Sequence, residues 1–471
     1  MKRIIVIFVC FFIMYGCAIK PVTGERELML VSEEQELRIG GQAAPSLNWS
    51  FGGEYRDAEL EDYLGGIVNR IWSISERPHL PVSFHIQNTS MPNAFALPGY
   101  VAITRGLLAE LDNEAQFAAI IGHEVGHVMA KHSAGSISLG ILQQAGLGMG
   151  GVGLSYDRDA DALMALGSVG SSRLLLRYTR SQELEADRLG VIYSAKLGYE
   201  PYEAVTAWRR LEIAVGRYLK RAGKGSRDGG FLRDIFSTHL VGEERDESIM
   251  SMIDELPPYL LHGDGKFLPV FLSMTGRLRD VNNAYLAFDD AERAFGENKY
   301  QEAAELLNKA IKMNPEQAPF YFLRGRISLT MQSYDEADDD FNLALSLDNA
   351  YQPAYYALGV SEYKKDNISY ALEYLKKSLS LYPRHPGSLY LSGLCYHAIN
   401  RPDDALEYFV KFTGIVRKHH DVFGLIGMNY EKTGRISQAV KAYNAQIKVE
   451  PNNRMGLYAR QRLSVLRGYR Q

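Results

Sequence analysis

Small and large apolar residues follow a long, regular period through the C-terminal part of the chain. Alanines stand 34 positions apart, and each is followed four positions later by an aromatic or leucine side chain. These alanines are Ala303, Ala337, Ala371, Ala405 and Ala439. Glycines keep the same 34-residue spacing, at Gly325, Gly359, Gly393 and Gly427. The period predicts paired helices that stack as repeats, because each pair exposes an apolar face that only a neighbouring pair can bury.

This repeat predicts a protein-binding region rather than a catalytic one. Its period, with small residues where helices cross and aromatic residues between them, resembles the tetratricopeptide repeat. About five repeats are predicted from Ala284 to Asn453, followed by a capping helix over Arg454 to Arg467. Most of the tyrosines here are expected to pack the repeats, and a minority to line a concave peptide-binding surface.

The N-terminus has the pattern of a targeting segment. Two basic residues precede the apolar run Ile4 to Met14, which is shorter than the roughly 20 residues that span a membrane. Gly16-Cys17 at its end resembles a bacterial lipobox. We therefore predict a lipoprotein-type signal peptide over residues 1–16, lipidation of Cys17, and no transmembrane helix. Signal cleavage nearby without lipidation is the alternative.

A helical pattern in the middle of the chain carries the sequence His-Glu-x-x-His. Asn113 and Gln116 predict the capped start of this helix. A buried stripe is formed by Phe117, Ile120, Ile121 and Val128. His123 and His127 are four residues apart, so their imidazoles share one helix face and can bind one metal ion. Glu124 lies beside them, where its carboxylate can accept a proton from water.

A third metal ligand has to come from another part of the chain. His132 is five positions after His127, and the pattern that would make it a metzincin ligand requires Gly and His where the chain has Ala130 and Ser133. The best source is a second predicted helix, Ser181 to Gly190.

In that second helix, Glu183 and Asp187 are four residues apart on one face. The carboxylate of Glu183 completes a set of two histidines and one glutamate, as in catalytic zinc sites. Asp187, one turn later, is placed to accept a hydrogen bond from the outer nitrogen of a ligand histidine. A solvated acidic face is the alternative for these residues, and Glu185 is the next candidate ligand.

Small residues on both helices predict that the helices pack closely. Gly122 and Gly126 are four apart on the first helix, and Ala186 and Gly190 are four apart on the second. A strip without bulky side chains lets two helix backbones approach each other.

The two motifs together resemble the gluzincin family that includes the CAAX prenyl protease and the heat-shock protease HtpX. The order of a signal, such a domain and C-terminal repeats also resembles bacterial periplasmic protease-chaperones. The resemblance implies one Zn²⁺ per chain, with His123, His127 and Glu183 as ligands and Glu124 as the general base. Asp187 is then an outer residue of the metal site.

The same resemblance implies further site residues. Asn93, Ala94, Phe95 and Ala96 belong to a segment that forms an edge strand above the site, where an extended substrate can pair with it. Ser237-Thr-His239 with Arg245 resembles a family segment whose histidine lies over the zinc or contacts the reacting substrate, with the arginine nearby. The resemblance therefore implies that His239 or Arg245 helps to stabilise the oxyanion. Leu240 replaces the usual proline there, so the turn after His239 is expected to be less rigid.

The stretch between the two motif helices, residues 133–170, is rich in Gly, Ser, Met and Leu. Its glycines disfavour a regular helix. It has to lie near the predicted metal site because it connects the two helices that carry the ligands. A mobile lid, a membrane-facing loop and a disordered insert all remain open.

Composition excludes several classes of protein. The 471 residues include 52 basic and 56 acidic ones, for a net charge of −4, so we expect no nucleic-acid partner. Signal cleavage removes Cys10 and lipidation modifies Cys17, which leaves Cys395 as a lone buried thiol. A disulfide-stabilised scaffold is therefore excluded.

The sequence thus predicts a mainly α protein with a zinc metallopeptidase domain over residues 17–275 and an all-α repeat solenoid over residues 281–471. The first domain is expected to be helical with a small β-sheet. The predicted function is that of a lipid-anchored periplasmic endopeptidase that acts on misfolded or unassembled envelope proteins. The repeats would recruit substrate or an assembly-machinery protein, and the lipid would attach the chain to the outer membrane. A chaperone or assembly adaptor with latent protease activity is the alternative.

Overall fold

The structure, a computed structural model, describes residues 17–138, 178–222, 242–416 and 418–468. The predicted signal peptide, residues 139–170 of the glycine-rich stretch, and His239 lie outside these ranges. The chain divides into two compact units, Met1–Arg293 and Ala294–Gln471. Across the described ranges, no helix combines the length and the apolar character needed to cross a membrane.

The first unit is mainly helical. Its helices are α1 (Glu33–Ser50), α2 (Ala58–Ser73), α3 (Arg105–Leu108), α4 (Glu114–Met129), α5 (Arg180–Lys196), α6 (Glu203–Ala222), α7 (Glu243–Asp254) and most of α8 (Leu268–Gly296). Five of these begin after a side chain that accepts a hydrogen bond from the first turn, namely Ser32, Asp57, Thr104, Asn113 and Thr179. Such caps satisfy backbone N–H groups that have no partner inside the helix.

Five short strands accompany the helices. They are β1 (Cys17–Ile19), β2 (Arg26–Leu28), β3 (Ser83–Gln87), β4 (Ala94–Leu97) and β5 (Tyr100–Thr104). The first two form an antiparallel ribbon that begins at Cys17. The other three form a sheet in the order β3-β5-β4, with β3 parallel and β4 antiparallel to the central strand. Gly99, at φ 87°, makes the tight turn between β4 and β5.

Helix α4, which carries the His-Glu-x-x-His motif, lies in the centre of this unit, and all 16 of its residues are buried. It packs against α5, α6 and β4. The predicted cap is confirmed, because the Asn113 side chain accepts a hydrogen bond from the Gln116 N–H at 2.9 Å. In a full capping box, the Gln116 side chain would accept a hydrogen bond from the N–H of Asn113. Here Gln116 Oε1 accepts instead from the N–H of Asp112, one residue earlier.

The predicted close packing of the two motif helices is confirmed. A Cβ atom added at Gly190 on α5 would lie 2.9 Å from the backbone nitrogen of His123 on α4. One added at Gly126 would lie 3.1 Å from the Leu189 side chain and 3.2 Å from the backbone of Ala186. Glycine at these positions brings the helix backbones together and thereby sets the distance between the histidines and the carboxylates.

The second unit is built from consecutive helix pairs. Its helices after the end of α8 are α9 (Tyr300–Met313), α10 (Ala318–Thr330), α11 (Tyr334–Leu347), α12 (Gln352–Lys364), α13 (Ile368–Leu381), α14 (Pro386–Ala398), α15 (Pro402–Thr413), α16 (Val422–Lys432), α17 (Ile436–Val449) and α18 (Arg454–Gly468). The glycine of each predicted pair faces the large residue of the partner helix, as Gly393 faces Phe409 and Gly359 faces Leu375. The last helix covers Tyr443 with Ala459 and Leu463.

This architecture confirms the predicted fold class, a mainly helical domain with a small sheet followed by helical repeats. The predicted buried thiol is also confirmed, because Cys395 is free and buried in α14.

The two units meet within α8. The sequence predicts a boundary between residues 275 and 281, whereas the compact units divide after Arg293. The part of α8 between the predicted boundary and Arg293 makes its contacts within the first unit. Tyr285 lies 3.7 Å beneath the buried guanidinium of Arg105, and its hydroxyl accepts a hydrogen bond from Asn88 at 2.6 Å. Arg221 also donates to Asp290 at 3.0 Å.

Candidate metal centre

Three side chains converge between α4 and α5. The Nε2 atoms of His123 and His127 are 3.0 Å apart. The carboxylate of Glu183 lies 3.5 Å from His123 Nε2 and 3.6 Å from His127 Nε2. Among the described residues, these three form a buried group able to hold a metal ion, with their ligand atoms all within 4.8 Å of one another. The structure therefore brings together the three predicted ligands.

Glu124 occupies the position next to the first ligand and is only 6% exposed. Burial raises the pKa of Glu124 to about 8. Of the charged neighbours, His123 and Arg245 oppose this rise, and Glu183 and Asp187 add to it. A carboxylate with a raised pKa is a stronger base, which suits a group that has to accept a proton.

The outer nitrogen of His123 contacts Asp187. The Nδ1 to Oδ1 distance is 2.8 Å, which is the contact predicted for Asp187. Burial alone would raise the pKa of this carboxyl, but the charges of Arg245 and His123 outweigh it, and the net effect lowers the pKa of Asp187. The aspartate therefore remains ionised and accepts the proton of His123 Nδ1, which directs Nε2 toward Glu183.

Arg245 lies on the far side of this aspartate. Its guanidinium donates two hydrogen bonds to Asp187, at 2.6 and 3.0 Å, and stacks 3.4 Å from the Trp208 ring. The Trp208 ring also packs edge-on against His123, with the ring centres 4.8 Å apart. The sequence predicts that His239 or Arg245 helps to stabilise the oxyanion, and for Arg245 that role stays a prediction. The contacts described here hold its guanidinium against the aspartate behind His123.

The outer side of His127 is held by residues to which the sequence assigned no such role. Tyr178 stacks on the His127 ring at 3.7 Å between centres, and the rings are almost parallel. His127 Nδ1 lies 2.8 Å from Nδ1 of His132. His132 Nε2 in turn lies 3.1 Å from the carboxylate of Glu185. In the sequence, His132 drew attention only as a possible ligand, and nothing marked Tyr178.

The predicted substrate segment forms β4 and lies at the edge of the sheet beside α4. Asn93 precedes the strand and is bonded to β5 through its carbonyl oxygen, which accepts from the N–H of Thr104. Phe95 and Ala96 are buried, and Ala94 is half-buried. The other predicted catalytic residue, His239, lies outside the described residues.

Family comparison assigns both halves of the chain. Residues 58–253 match peptidase family M48, a range that contains every described residue of the site. Residues 288–351, 356–412 and 420–453 match the tetratricopeptide repeat. The chain carries an M48 peptidase domain followed by tetratricopeptide repeats. The family and the site together identify the first part as a metallopeptidase domain.

Several named proteins are similar to this chain. The mitochondrial metalloendopeptidase OMA1 of Schizosaccharomyces pombe is 29% identical over 42% of this chain and 59% of its own length. The beta-barrel assembly-enhancing protease of Escherichia coli strain K12 is 23% identical over 66% of each chain. A putative beta-barrel assembly-enhancing protease of Vibrio cholerae is 30% identical over 44% of this chain and 41% of its own. The chain thus spans less than two thirds of the length of these relatives.

Among solved structures, the repeats are similar to YrrB, a tetratricopeptide-repeat protein with an unusual peptide-binding site. The likeness covers 37% of this chain and 90% of the other, at 23% identity and a TM-score of 0.34.

Proposed function

We propose that this chain is a zinc-dependent metalloendopeptidase of the bacterial envelope. The observation that carries the proposal is the convergence of two imidazole nitrogens and one carboxylate in the core, at His123, His127 and Glu183. Glu124 lies beside them on the same buried helix, in the position of the general base in His-Glu-x-x-His peptidases. The match to peptidase family M48 supports this assignment.

The donor set fits zinc. Two imidazoles and one carboxylate are the ligands of one large class of catalytic zinc sites, which keep a fourth position for water. Tetrahedral ligands with bonds of about 2.0–2.1 Å lie about 3.3 Å apart. The histidine nitrogens are 3.0 Å apart, His123 Nε2 is 3.5 Å from Glu183 Oε2, and His127 Nε2 is 3.6 Å from Glu183 Oε1, so the three side chains approach that spacing. Calcium and magnesium prefer oxygen ligands and fit this set less well.

Peptide hydrolysis then follows from the buried residues. Zinc, when bound, supplies a Lewis acid that lowers the pKa of water toward about 7 and polarises a peptide carbonyl. Glu124 accepts a proton from the attacking water and afterwards returns it to the nitrogen of the leaving amine. Asp187 and Arg245 fix the orientation of His123. For His239 we retain the predicted contact with the reacting carbonyl.

We propose that substrate binds in an extended form along β4. In the antiparallel pair with β5, the turn-closing residues Leu97 and Tyr100 are opposite each other. Because hydrogen-bonded pairs alternate along such a ladder, the backbone groups of Ala94 and Ala96 point away from β5. An extended peptide can pair with those groups, while Asn93 and Phe95 pair with β5 and hold the strand in register.

We further propose that the chain is attached to the outer membrane through lipidated Cys17 and acts on misfolded or unassembled envelope proteins. The names of the Escherichia coli and Vibrio cholerae relatives, beta-barrel assembly-enhancing proteases, support a role in assembly or quality control. The repeats would recruit substrate or a protein of the assembly machinery. A Cys17→Ala variant that stays in the membrane fraction would contradict the anchor.

A second candidate is an assembly adaptor whose protease activity is latent or rare. The second unit favours this candidate, because its five predicted helix pairs offer a large surface on which proteins can bind. None of the proposed catalytic residues lies in that unit.

One experiment separates the two candidates. Full-length wild type and Glu124→Gln are expressed in a deletion strain, and growth under envelope stress is compared with the pattern of crosslinked proteins. The peptidase proposal expects the variant to trap substrates and to fail in complementation. Full complementation by Glu124→Gln would favour the adaptor instead.

A further inference from the structure

Two residues outside the ligand set form a chain of contacts that ends on His127. His132 is 1% exposed, and its Nδ1 lies 2.8 Å from His127 Nδ1. Its other nitrogen, Nε2, lies 3.1 Å from the Glu185 carboxylate. The side chain of Glu185 is 19% exposed, so this contact is largely shielded from water. Glu185 and His132 are therefore in line with one of the three proposed ligands.

The contacts fit one assignment of the protons, in which His132 is neutral. An ionised carboxylate only accepts, so the Nε2 of His132 carries the proton that it donates to Glu185. A neutral His132 then has a lone pair on Nδ1, and that lone pair accepts a proton from His127 Nδ1. With its proton on Nδ1, His127 presents the lone pair of Nε2 to the position shared with His123 and Glu183.

We propose that Glu185 and His132 are positioning residues that hold His127 in its metal-binding tautomer and orientation. This inference rests on the proposed metal site. The two ligand histidines are then held by different means. His123 contacts the Asp187 carboxylate directly, whereas His127 reaches the Glu185 carboxylate through a second imidazole.

The backbone explains how His132 reaches His127. On an unbroken helix, a residue five positions later points about 140° away. Helix α4 ends at Met129, and Lys131 has φ 59°, in the left-handed region that non-glycine residues rarely adopt. This turn redirects the chain, and His132 lies back against the ring of His127.

Buried charges stabilise that turn. Arg77 donates to the carbonyl oxygen of Val128 at 2.9 Å and to Glu36, also at 2.9 Å. Lys131 forms an ion pair with the same glutamate at 3.1 Å. The end of α4 and the turn after it are thus tied to α1, which keeps His132 at a fixed distance from His127.

His132 is not placed to be a ligand itself. It contacts Nδ1 of His127, whereas the three proposed ligands meet at Nε2 of that ring. Within the described ranges, the residues grouped as a metal site are His123, His127 and Glu183, without His132.

The test measures metal affinity in the full-length protein. Zinc and cobalt(II) are titrated in competition with a chelator of known affinity, for wild type, His132→Phe, His132→Asn, Glu185→Leu and Glu185→Gln. Loss of an outer partner typically weakens metal binding by about 10- to 100-fold. We expect that loss for His132→Phe and Glu185→Leu. The losses for His132→Asn and Glu185→Gln should be smaller, because their amides keep an acceptor.

Cobalt(II) absorption gives a second readout, because the visible bands report the geometry of the ligands. We expect shifted bands for His132→Phe and bands closer to wild type for His132→Asn. A merely structural role would not produce this rescue.

A matched control is available in the same unit. His85 and Glu54 form another histidine–carboxylate pair, 2.9 Å apart, on β3 and the segment that precedes α2. We expect His85→Phe and Glu54→Leu to leave the zinc affinity unchanged.

Three outcomes would overturn the proposal. Wild-type zinc affinity in both His132→Phe and Glu185→Leu would exclude any such role. Equal losses in the amide and apolar variants, matched by equal losses of thermal stability in the metal-free protein, would assign the residues to packing. Complete loss of stoichiometric binding in His132→Phe, with binding kept in Glu183→Ala, would make His132 a ligand. A wild-type chain that binds no metal would instead contradict the proposed function.

Discussion

At the scale of single residues, the site concentrates charge in the core of the first unit. Glu183 contacts the buried imidazoles of His123 and His127, Asp187 contacts that of His123, and Glu124 is buried on the same helix as the histidines. Like charges in a low-dielectric interior repel each other strongly, and burial penalises each of them. A divalent cation at the ligand atoms offsets this repulsion, so the same arrangement that costs folding free energy also favours metal binding.

We predict that Glu124→Gln keeps zinc but loses peptidase activity. The amide has the shape of the carboxylate but cannot accept the proton from water, and loss of a general base typically costs about 10²- to 10⁴-fold in rate. Cleavage of a denatured protein and elemental analysis check the two halves of the prediction. The mechanism would be refuted by a variant that cleaves at the wild-type rate.

Metal binding should depend on pH through His123. Burial by itself would lower the pKa of this imidazole, but Asp187 and Glu183 outweigh it and raise the pKa to about 9 in the metal-free site. Only the deprotonated ring binds metal, so the apparent affinity should be full above about pH 9 and fall about tenfold per unit below it. Chelator competition between pH 6 and 9 measures this slope, and a flat profile would contradict it.

At the scale of elements, the distance between α4 and α5 decides whether the ligands meet. We predict that Gly190→Ala weakens zinc binding, because the new methyl group would collide with the backbone at His123 and push the helices apart. Overpacking of this kind costs about 1–3 kcal/mol of unfolding free energy.

Gly66→Ala on α2 is the matched control, since a Cβ there meets no atom within 4 Å. Its effect should be neutral or stabilising by up to about 1 kcal/mol. Thermal unfolding and zinc affinity of both variants provide the comparison. Equal behaviour of the two alanine variants would show that helix spacing does not control the site.

Local patterns in the sequence were enough to find the parts of the site that lie within one helix. The four-residue spacing of His123 and His127, the cap at Asn113 and the glycines at the crossing are all encoded by neighbouring residues. Glu183 followed from its own helix together with the His-Glu-x-x-His motif, and the resemblance to gluzincins implies the same ligand. Within-helix geometry is regular, so it can be calculated from position alone.

The remaining contacts depend on where the chain turns and what packs across it. His132 was set aside as a ligand on its spacing, but its contact with His127 was not predicted, because the left-handed turn at Lys131 is not visible in a lysine. Arg245 was assigned by resemblance, and its contact with Asp187, which is 58 residues away, was not predicted. Periodicity also assigned residue 284 onward to the repeats, whereas Tyr285 contacts Arg105 in the first unit.

At the scale of the whole molecule, the chemistry and the repeats belong to separate units. We predict that a chain ending after Gly296 keeps zinc, cleaves an unstructured peptide at the wild-type rate or faster, and loses function in cells. The proposed ligands and all their described partners precede Arg293, while the repeats would supply the partner. Complementation of a deletion strain by this truncation would make the repeats dispensable.

A shorter truncation, after Asp280, provides the structural comparison. It removes Tyr285 and leaves the guanidinium of Arg105 without the ring that it lies over. Because a buried charge that loses its partners is costly, we expect this chain to be markedly less stable than the one that ends after Gly296. Thermal unfolding of the two truncations measures the difference.

The division of the units after Arg293 also determines which unit can fold first. A chain is synthesised from its N-terminus, and domains fold as units in that order. All the residues that build the metal site and its supports are present once Arg293 has emerged. We therefore expect a nascent chain to acquire a complete catalytic centre before its first full repeat has been made, so any restraint by a repeat-bound partner begins only after the peptidase already exists.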